Sequence, residues 1–142
     1  MLSDLEAAYP VCIKDEPQIK DGFVEVKFKP ISGKTDQAGG LVWRAKDGDN
    51  YYVARANALE GNVAIFSMVN GKRTEMKRTA IKVAPAEWHT LRVDFRAKHF
   101  IVTLDGTKAL EVDDDTFKDA GKGGIWTKAD SVTLFDDFKI GS

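Results

Sequence analysis

The alternation of apolar and charged residues, repeated along most of the chain, is the feature that most constrains its fold. Within residues 22–30 the even positions from Val24 to Phe28 are apolar and the odd positions from Glu25 to Lys29 are charged. The same period of two returns within 88–96, 99–105 and 131–140. A repeat of two is typical of a β-strand with one buried face. The sequence therefore predicts an all-β chain of half-buried strands.

Tight-turn signals divide this pattern into short strands. Asp47-Gly48, Asn70-Gly71 and Asp105-Gly106 are dipeptides that supply the left-handed residues of a hairpin. One short helical turn, acidic at its start and ended by glycine, is predicted at 114–121. Ten strands at this spacing predict a two-sheet antiparallel jelly-roll sandwich. They are placed near 22–30, 39–46, 50–57, 62–69, 73–81, 88–96, 99–105, 107–112, 123–127 and 131–140.

The length of 142 residues favours one domain spanning 1–142. Residues 1–21 fit the pattern less well, because Pro10 and Pro17 bracket a single short apolar stretch. This N-terminal segment is expected to be irregular or to form an edge strand.

Composition argues against several functions. The 21 Lys and Arg are interleaved with 22 Asp and Glu, so the clustered positive charge that nucleic acids and anionic membranes attract is not seen. The single cysteine, Cys12, cannot form an internal disulfide, and two histidines make a structural zinc site nearly unbuildable. We therefore expect no cofactor, no nucleic-acid partner and no membrane partner. The sequence lacks an apolar run of the kind that a signal peptide needs, and it does not indicate a cellular location.

Several motifs together resemble a known family. They are AGGLVWR at 38–44, DNYY at 49–52, RANALEGN at 55–62, EWHTL at 87–91, LDG at 104–106, WTKADS at 126–131 and FDDF at 135–138. The combination resembles the bacterial concanavalin A-like domains called DUF1080, also known as the 3-keto-disaccharide hydrolase or family-16-hydrolase-like group, over about residues 20–140. The resemblance implies two curved sheets of the lectin/glucanase superfamily, with a groove where relatives bind glycans. It also implies a group whose members are often exported.

The beginning of the chain departs from that family. Members usually carry further strands before the equivalent of Tyr9-Pro10, which only eight residues precede here. A sheet edge is therefore expected to be left short, and a homodimer is expected to cover it by strand pairing or exchange.

A catalytic interpretation is weaker than a binding one. Family-16 hydrolases use a Glu-x-Asp-x-Glu strand, and the nearest run here, at 111–115, has Asp in place of the second Glu. Glu111 and Asp113 are interpreted as solvent-facing. His89 shares the parity of apolar neighbours and is expected to be buried and hydrogen-bonded, whereas His99 is placed at a hairpin.

A structural calcium is the one metal left open. Oxygen-rich turns occur at 47–50 and 113–115, although neither reproduces an EF-hand loop. Alternation places Asp136 on the side of Phe138 and Ile140, where a carboxylate needs donors or a cation.

The strands near 39–46 and 50–57 carry the candidate groove residues. If Trp43 faces the core between the sheets, Arg44 and Arg55 lie on adjacent strands of the open face, with Asn57 beyond them. Planar polar groups of this kind form the paired hydrogen bonds that sugars accept.

Trp126 and Lys128 share a face of another predicted strand and would complete the ligand site, although Trp126 equally fits a core position. The leading hypothesis is an oligosaccharide-binding jelly roll without catalysis. The alternatives are a glycoside hydrolase or lyase acting on a modified sugar, and a structural self-association module.

Overall fold

The computed structural model describes residues 11–32, 38–127 and 132–142, which form eleven strands. These are β1 Val11–Ile19, β2 Gly22–Ser32, β3 Ala38–Asp47, β4 Asn50–Asn57, β5 Asn62–Val69, β6 Lys72–Ala80, β7 His89–Arg96, β8 His99–Leu104, β9 Thr107–Asp113, β10 Gly121–Trp126 and β11 Val132–Gly141. Within these ranges no helix is long and apolar enough to cross a membrane.

The strands form two sheets whose pairings are antiparallel. One has six strands in the order β1-β10-β3-β4-β5-β6, and the other has five in the order β11-β2-β7-β8-β9. The predicted two-sheet antiparallel sandwich is confirmed. Strand β1 lies at the edge of the six-stranded sheet, where it pairs with β10.

The helical turn predicted at 114–121 is wrong, because side chains take the backbone groups that a helix would use. Asp114 Oδ2 accepts the Thr116 N–H at 2.9 Å and the Tyr52 hydroxyl at 2.6 Å. The Phe117 N–H donates in turn to the Tyr52 hydroxyl oxygen at 3.0 Å. These bonds fix an extended loop against β4 and bury Phe117 at the end of the core.

The layer between the sheets is the main core. It contains the apolar residues of β2, β7 and β8 on one side and those of β3, β4 and β5 on the other. Trp43, Tyr52 and Phe100 form its aromatic centre, with ring centroids 4.7–5.5 Å apart. Burying each such side chain contributes about 1.5–3 kcal/mol, so packing rather than cross-linking holds the two sheets together.

A second apolar cluster lies on the outer face of the six-stranded sheet. Val42, Tyr51, Val53, Phe66 and Trp126 belong to it, and each is at most 2% exposed. The middle strands of this sheet are therefore buried on both faces. That explains why β3 and β5 show nearly continuous apolar runs instead of alternation.

Of the register shifts in the described strands, those in β3, β11 and β6 decide which face several charged side chains occupy. In β3, Val42 and Ala45 both pair on the outer face, opposite Gly124 and Lys122, so the two residues between them turn the other way. In β11 the register shifts between Asp136 and Lys139. In β6 it shifts between Glu75 and Lys77. Each bulge inserts an extra residue into one strand and resets the alternation beyond it.

The bulge in β11 corrects the predicted environment of Asp136. Leu134 is 49% exposed and Asp136 is exposed beside it, whereas Phe138 and Ile140 pack against the core. The prediction that Asp136 shares a buried face with Phe138 and Ile140 is wrong. The cause is the bulge after Asp136, in which Asp137 has a φ of 52°.

Candidate functional site

The structure places Arg44 on the side of the core, so its predicted position on the open face is wrong. Arg44 has a φ of 51° and follows Trp43 in the β3 bulge, so both side chains turn toward the five-stranded sheet. The guanidinium lies 5.6 Å from the Phe95 ring centroid and 5.4 Å from that of Phe100, and the residue is only 2% exposed.

Hydrogen bonds to backbone carbonyls hold the Arg44 guanidinium there. Nε and Nη2 donate to the Lys20 carbonyl at 3.0 and 2.7 Å, and Nη1 donates to the Phe117 carbonyl at 3.0 Å. Burial lowers the pKa of Arg44, although Tyr52 and Asp21 oppose the shift. Arg44 thus joins β3 to the β1–β2 turn and to the loop before β10, beside a cavity of about 390 Å³.

Arg55 does lie on the outer face of the six-stranded sheet, as predicted. It pairs across β3, β4 and β5 with Gly40 and Ala64, and its side chain meets polar groups at the β4–β5 end. Arg55 Nη1 donates to Asn62 Oδ1 at 2.7 Å, and Nη2 reaches Glu60 Oε1 at 3.4 Å. Arg55 is only 4% exposed, so it supports the network from within the face.

Glu60 is the centre of this network. Its Oε1 accepts from Arg55, from Asn62 Nδ2 at 3.2 Å and from Arg78 Nη1 at 3.5 Å. Arg78 also binds Glu75 Oε1 through Nε at 3.0 Å, and these hydrogen bonds raise the pKa of Arg78. The side chains of Glu60, Glu75 and Arg78 are 39–44% exposed. The network therefore presents two carboxylates and a guanidinium to solvent, with a buried guanidinium and amide behind them.

Phe66 forms the apolar floor next to the network. The guanidinium carbon of Arg55 lies 5.4 Å from its ring centroid and that of Arg73 lies 4.6 Å from it. Cation–π contacts of this kind contribute about 0.5–1 kcal/mol or more when desolvated. They fix the orientation of the two guanidinium planes before any ligand arrives.

Asn57 shapes the loop that carries Glu60. It is fully buried, and its Oδ1 accepts the N–H groups of Leu59 at 3.0 Å and Glu60 at 3.1 Å. Asn57 is thus on the predicted face, and in these contacts it positions Glu60.

Trp126 shares this face with Arg55. Gly40 lies between them, and a Cβ at that position would stand 3.2 Å from Trp126 and 3.3 Å from Arg55. Trp126 is fully buried, so its ring supports the face from within. Lys128, the remaining predicted site residue, lies outside the described residues.

The sequence did not reveal Glu60, Asn62, Glu75 and Arg78 as site residues. Glu75 and Arg78 are three positions apart and would face opposite ways in a regular strand. The β6 bulge lets both face outward, opposite Phe66 and Ala64. The motif RANALEGN did contain Glu60 and Asn62. The register of the β4–β5 hairpin, which places Asn62 opposite Asn57, was the signal that could have found them.

The histidines lie elsewhere. His89 is 7% exposed and hydrogen-bonded through both ring nitrogens, to Asp105 and to the Ala84 carbonyl, each at 2.7 Å, as the sequence predicted. The exposed His99 contacts Asp113 at 2.6 Å and Glu111 at 2.7 Å.

Within the described ranges, no group of three His, Cys, Asp or Glu side chains is arranged to hold a metal ion. The structural calcium stays a prediction, which an unchanged Tm on calcium addition would contradict.

Comparisons with known proteins concern the fold. No family model matches the chain, and no curated protein matches it. The carbohydrate-binding module CBM66 from Bacillus subtilis superposes with a TM-score of 0.82 at 18% identity, covering 95% of this chain and 96% of that one. CG-16, a homodimeric agglutinin from chicken liver, gives 0.71 at 15% identity, covering 92% and 99%. The Caenorhabditis elegans galectin LEC-6 gives 0.67 at 13% identity, covering 93% and 91%. At these identities the likeness shows the fold alone, and that fold is the jelly-roll β-sandwich that this chain shares with lectin-type structures.

Proposed function

We propose that this chain is a carbohydrate-binding jelly-roll domain whose ligand contacts the Glu60 network on the outer face of the six-stranded sheet. The observation that carries the proposal is the convergence of three donors, from Arg55, Asn62 and Arg78, on one half-exposed carboxylate. A saccharide presents neighbouring hydroxyls that both donate and accept. Planar carboxylate and guanidinium groups held side by side match such a pair with two hydrogen bonds each.

Pre-organisation supports this proposal. Arg55 and Asn62 are buried and already paired, so little side-chain entropy remains to be lost when a ligand binds. The fold points the same way, because solved structures that share it include a carbohydrate-binding module and galectins.

The resemblance to DUF1080 domains belongs to this proposal as its finer part, supported by the motifs at 38–62 and 126–138. It brings with it the alternative of hydrolysis. A glycosidase needs one carboxyl group that keeps its proton, which apolar surroundings favour. Glu60 and Glu75 both contact the Arg78 guanidinium instead. That contact favours binding over catalysis.

The homodimer expected at a short sheet edge also remains a proposal. The described edge strand β1 is mostly exposed along 14–18, and one structure of the same fold, CG-16, is homodimeric. Sedimentation as a strict monomer at high concentration would contradict it.

A glycan array followed by titration calorimetry tests the binding proposal. Glu60→Gln keeps the shape of the side chain but removes the charge that orients Arg55 and Arg78, and Arg78→Ala removes the exposed donor. Each change is expected to weaken binding at least tenfold, since a hydrogen bond to a charged group contributes about 1.5–3 kcal/mol.

Arg92→Ala is the matched control. Arg92 is similarly exposed and ion-paired, with Asp94 and Glu25, but it lies on the other sheet. Its loss should leave binding unchanged. Silence of the array, or equal affinity of Glu60→Gln and the unmodified chain, would remove the proposed site.

A further inference from the structure

The outer face of the five-stranded sheet carries a second cavity, of about 410 Å³, lined by Lys27, Trp88, Thr90 and Asp136. Thr90, Lys27 and Asp136 form one row across β7, β2 and β11, because Lys27 pairs with both of the others. Adjacent strands lie about 4.8 Å apart, so a hydroxyl, an ammonium and a carboxylate line a groove roughly one sugar residue wide. Trp88, two residues before Thr90 in the chain, also lines the cavity.

Trp88 is exposed, and the residues on either side of it are held by hydrogen bonds. It is 47% exposed, whereas the other two tryptophans, Trp43 and Trp126, are fully buried. The preceding loop is tied to β2 by the Ala86 N–H, which donates to the Pro30 carbonyl at 2.8 Å. The following residue, His89, is fixed by hydrogen bonds through both ring nitrogens. A large apolar ring is thus presented to solvent from a fixed backbone, so that only its side-chain rotamer remains to be ordered on binding.

The β11 bulge gives the cavity its polar side. Asp137 occupies the left-handed position of the bulge, and its carboxylate reaches Lys27 Nζ at 3.2 Å. Asp136 precedes it and lines the cavity, with its Oδ1 accepting the Asp137 N–H at 2.9 Å. Asp137 is paired with Lys27, which leaves Asp136 as the carboxylate that lines the cavity itself. Repulsion from the Asp136 carboxylate disfavours uronates, sulfated sugars and phosphates in direct contact with it.

We infer that this cavity is a second saccharide subsite, for a neutral sugar residue of a longer glycan. The apolar face of a pyranose stacks on the Trp88 indole, while its hydroxyls donate to Asp136 and accept from Lys27 and Thr90. The inference rests on the proposed carbohydrate-binding function but uses the opposite sheet. A chain with both sites would hold two segments of a polysaccharide, which raises its avidity for polymers over short oligosaccharides.

Tryptophan fluorescence tests the subsite directly, because acrylamide reaches Trp88 far more readily than the two buried tryptophans. The probes are a soluble β-glucan, mannan, galactan and fructan, with pectin as the charged comparison. A neutral polysaccharide that occupies the cavity should protect Trp88 from quenching, and pectin should not. The protection should persist in Glu60→Gln, whose substitution lies on the other sheet.

Affinity electrophoresis, in gels that contain the protective polysaccharide, compares the polysaccharide affinity of variants with substitutions in this subsite. Trp88→Ala is expected to weaken retardation about three- to tenfold, as the loss of one aromatic stacking contact implies, and Asp136→Asn should also weaken it. Leu134→Ala is the matched control, since Leu134 is 49% exposed on the same sheet face but offers no ring.

Three results would overturn the inference. If Glu60→Gln abolishes all binding and no polysaccharide protects Trp88, the subsite is wrong while the proposed function stands. If Trp88→Ala and Leu134→Ala both change the sedimentation coefficient, the face binds protein instead. If no polysaccharide binds either face, both proposals fall.

Discussion

Replacing Arg44 by alanine should destabilise the fold and leave saccharide binding unchanged. Alternation predicts this arginine on an open face, whereas the structure buries it at the end of the core. Its guanidinium joins β3 to the carbonyls of Lys20 and Phe117, which belong to two different connections. The expected effect is therefore on the stability of the sandwich.

The size of the effect follows from the hydrogen bonds and ring contacts of the guanidinium. Without it, two buried or half-buried carbonyls have no charged donor, and each such hydrogen bond contributes about 1.5 kcal/mol at the low end of its range. The interactions with the Phe95 and Phe100 rings add about 0.5–1 kcal/mol. Water from the adjacent cavity can rehydrate part of the freed carbonyls, which limits the destabilisation. The free energy of unfolding should fall by about 3 kcal/mol.

Arg44→Gly separates the stability contribution of the guanidinium from that of the backbone conformation. The φ of 51° at this bulge position costs a residue with a Cβ about 1 kcal/mol and costs glycine much less. Arg44→Gly should therefore be about 1 kcal/mol more stable than Arg44→Ala, the reverse of the order expected within a regular strand.

Urea unfolding followed by the fluorescence of the buried Trp43 and Trp126 gives these free energies, provided the m-value stays constant. Arg78→Ala is the surface control and should cost less than about 1 kcal/mol. An Arg44→Ala protein within about 1 kcal/mol of the unmodified chain would refute the structural role. Loss of saccharide binding with stability intact would restore Arg44 as a ligand residue.

The remaining predictions concern a histidine, a glycine and a tyrosine. Burial disfavours the charged His89 ring, but the hydrogen bonds to Asp105 and a carbonyl outweigh it and raise the pKa of His89. This stabilisation is complete below the unfolded pKa of about 6.5 and is lost as pH rises through the folded value. The stability difference between the unmodified chain and Asp105→Asn, measured by urea unfolding, should therefore shrink as pH rises, and a pH-independent difference would contradict it. Gly40→Ala places a Cβ 2.7 Å from a β4 carbonyl and should lower stability by roughly 1–3 kcal/mol, measured as a lower Tm. Tyr52→Phe removes the hydroxyl that binds Asp114 and should cost about 1–2 kcal/mol in urea unfolding, with no change in saccharide binding.

The strands were predictable because their signals are local. Turn residues and short runs of strand-forming residues depend on neighbouring positions, so the bounds of β4 and β5 follow from the sequence. Alternation placed Arg55 on the outer face because β4 contains no bulge before it pairs with β3 at that position. The loop at 114–121 was not predictable, since its hydrogen bonds come from Tyr52, far away in the sequence.

The candidate site was less predictable because bulges decide which side chains meet. A bulge adds one residue without a strong sequence signal, and every later residue of that strand changes face. In β3 the bulge turns Arg44 into the core, and in β11 it turns Asp136 out beside Asp137.

The bulge in β3 buries a charged group, and the bulges in β6 and β11 place charged groups at the surface where regular alternation would not. In β6 the extra residue lets Glu75 and Arg78 face the same way, so that both can meet Glu60. The β11 bulge likewise brings a second carboxylate to Lys27, next to the exposed ring of Trp88. A regular stretch of strand can carry charges that are closed by their own ion pairs, as Arg92 shows with Asp94. β6 and β11 are edge strands with one neighbour each, so the polar groups at these positions are held by their own ion pairs, Glu60 with Arg78 and Lys27 with Asp137. Buried Arg55 behind one surface and the exposed Trp88 ring beside the other distinguish the two candidate surfaces from a charged face that is merely solvated.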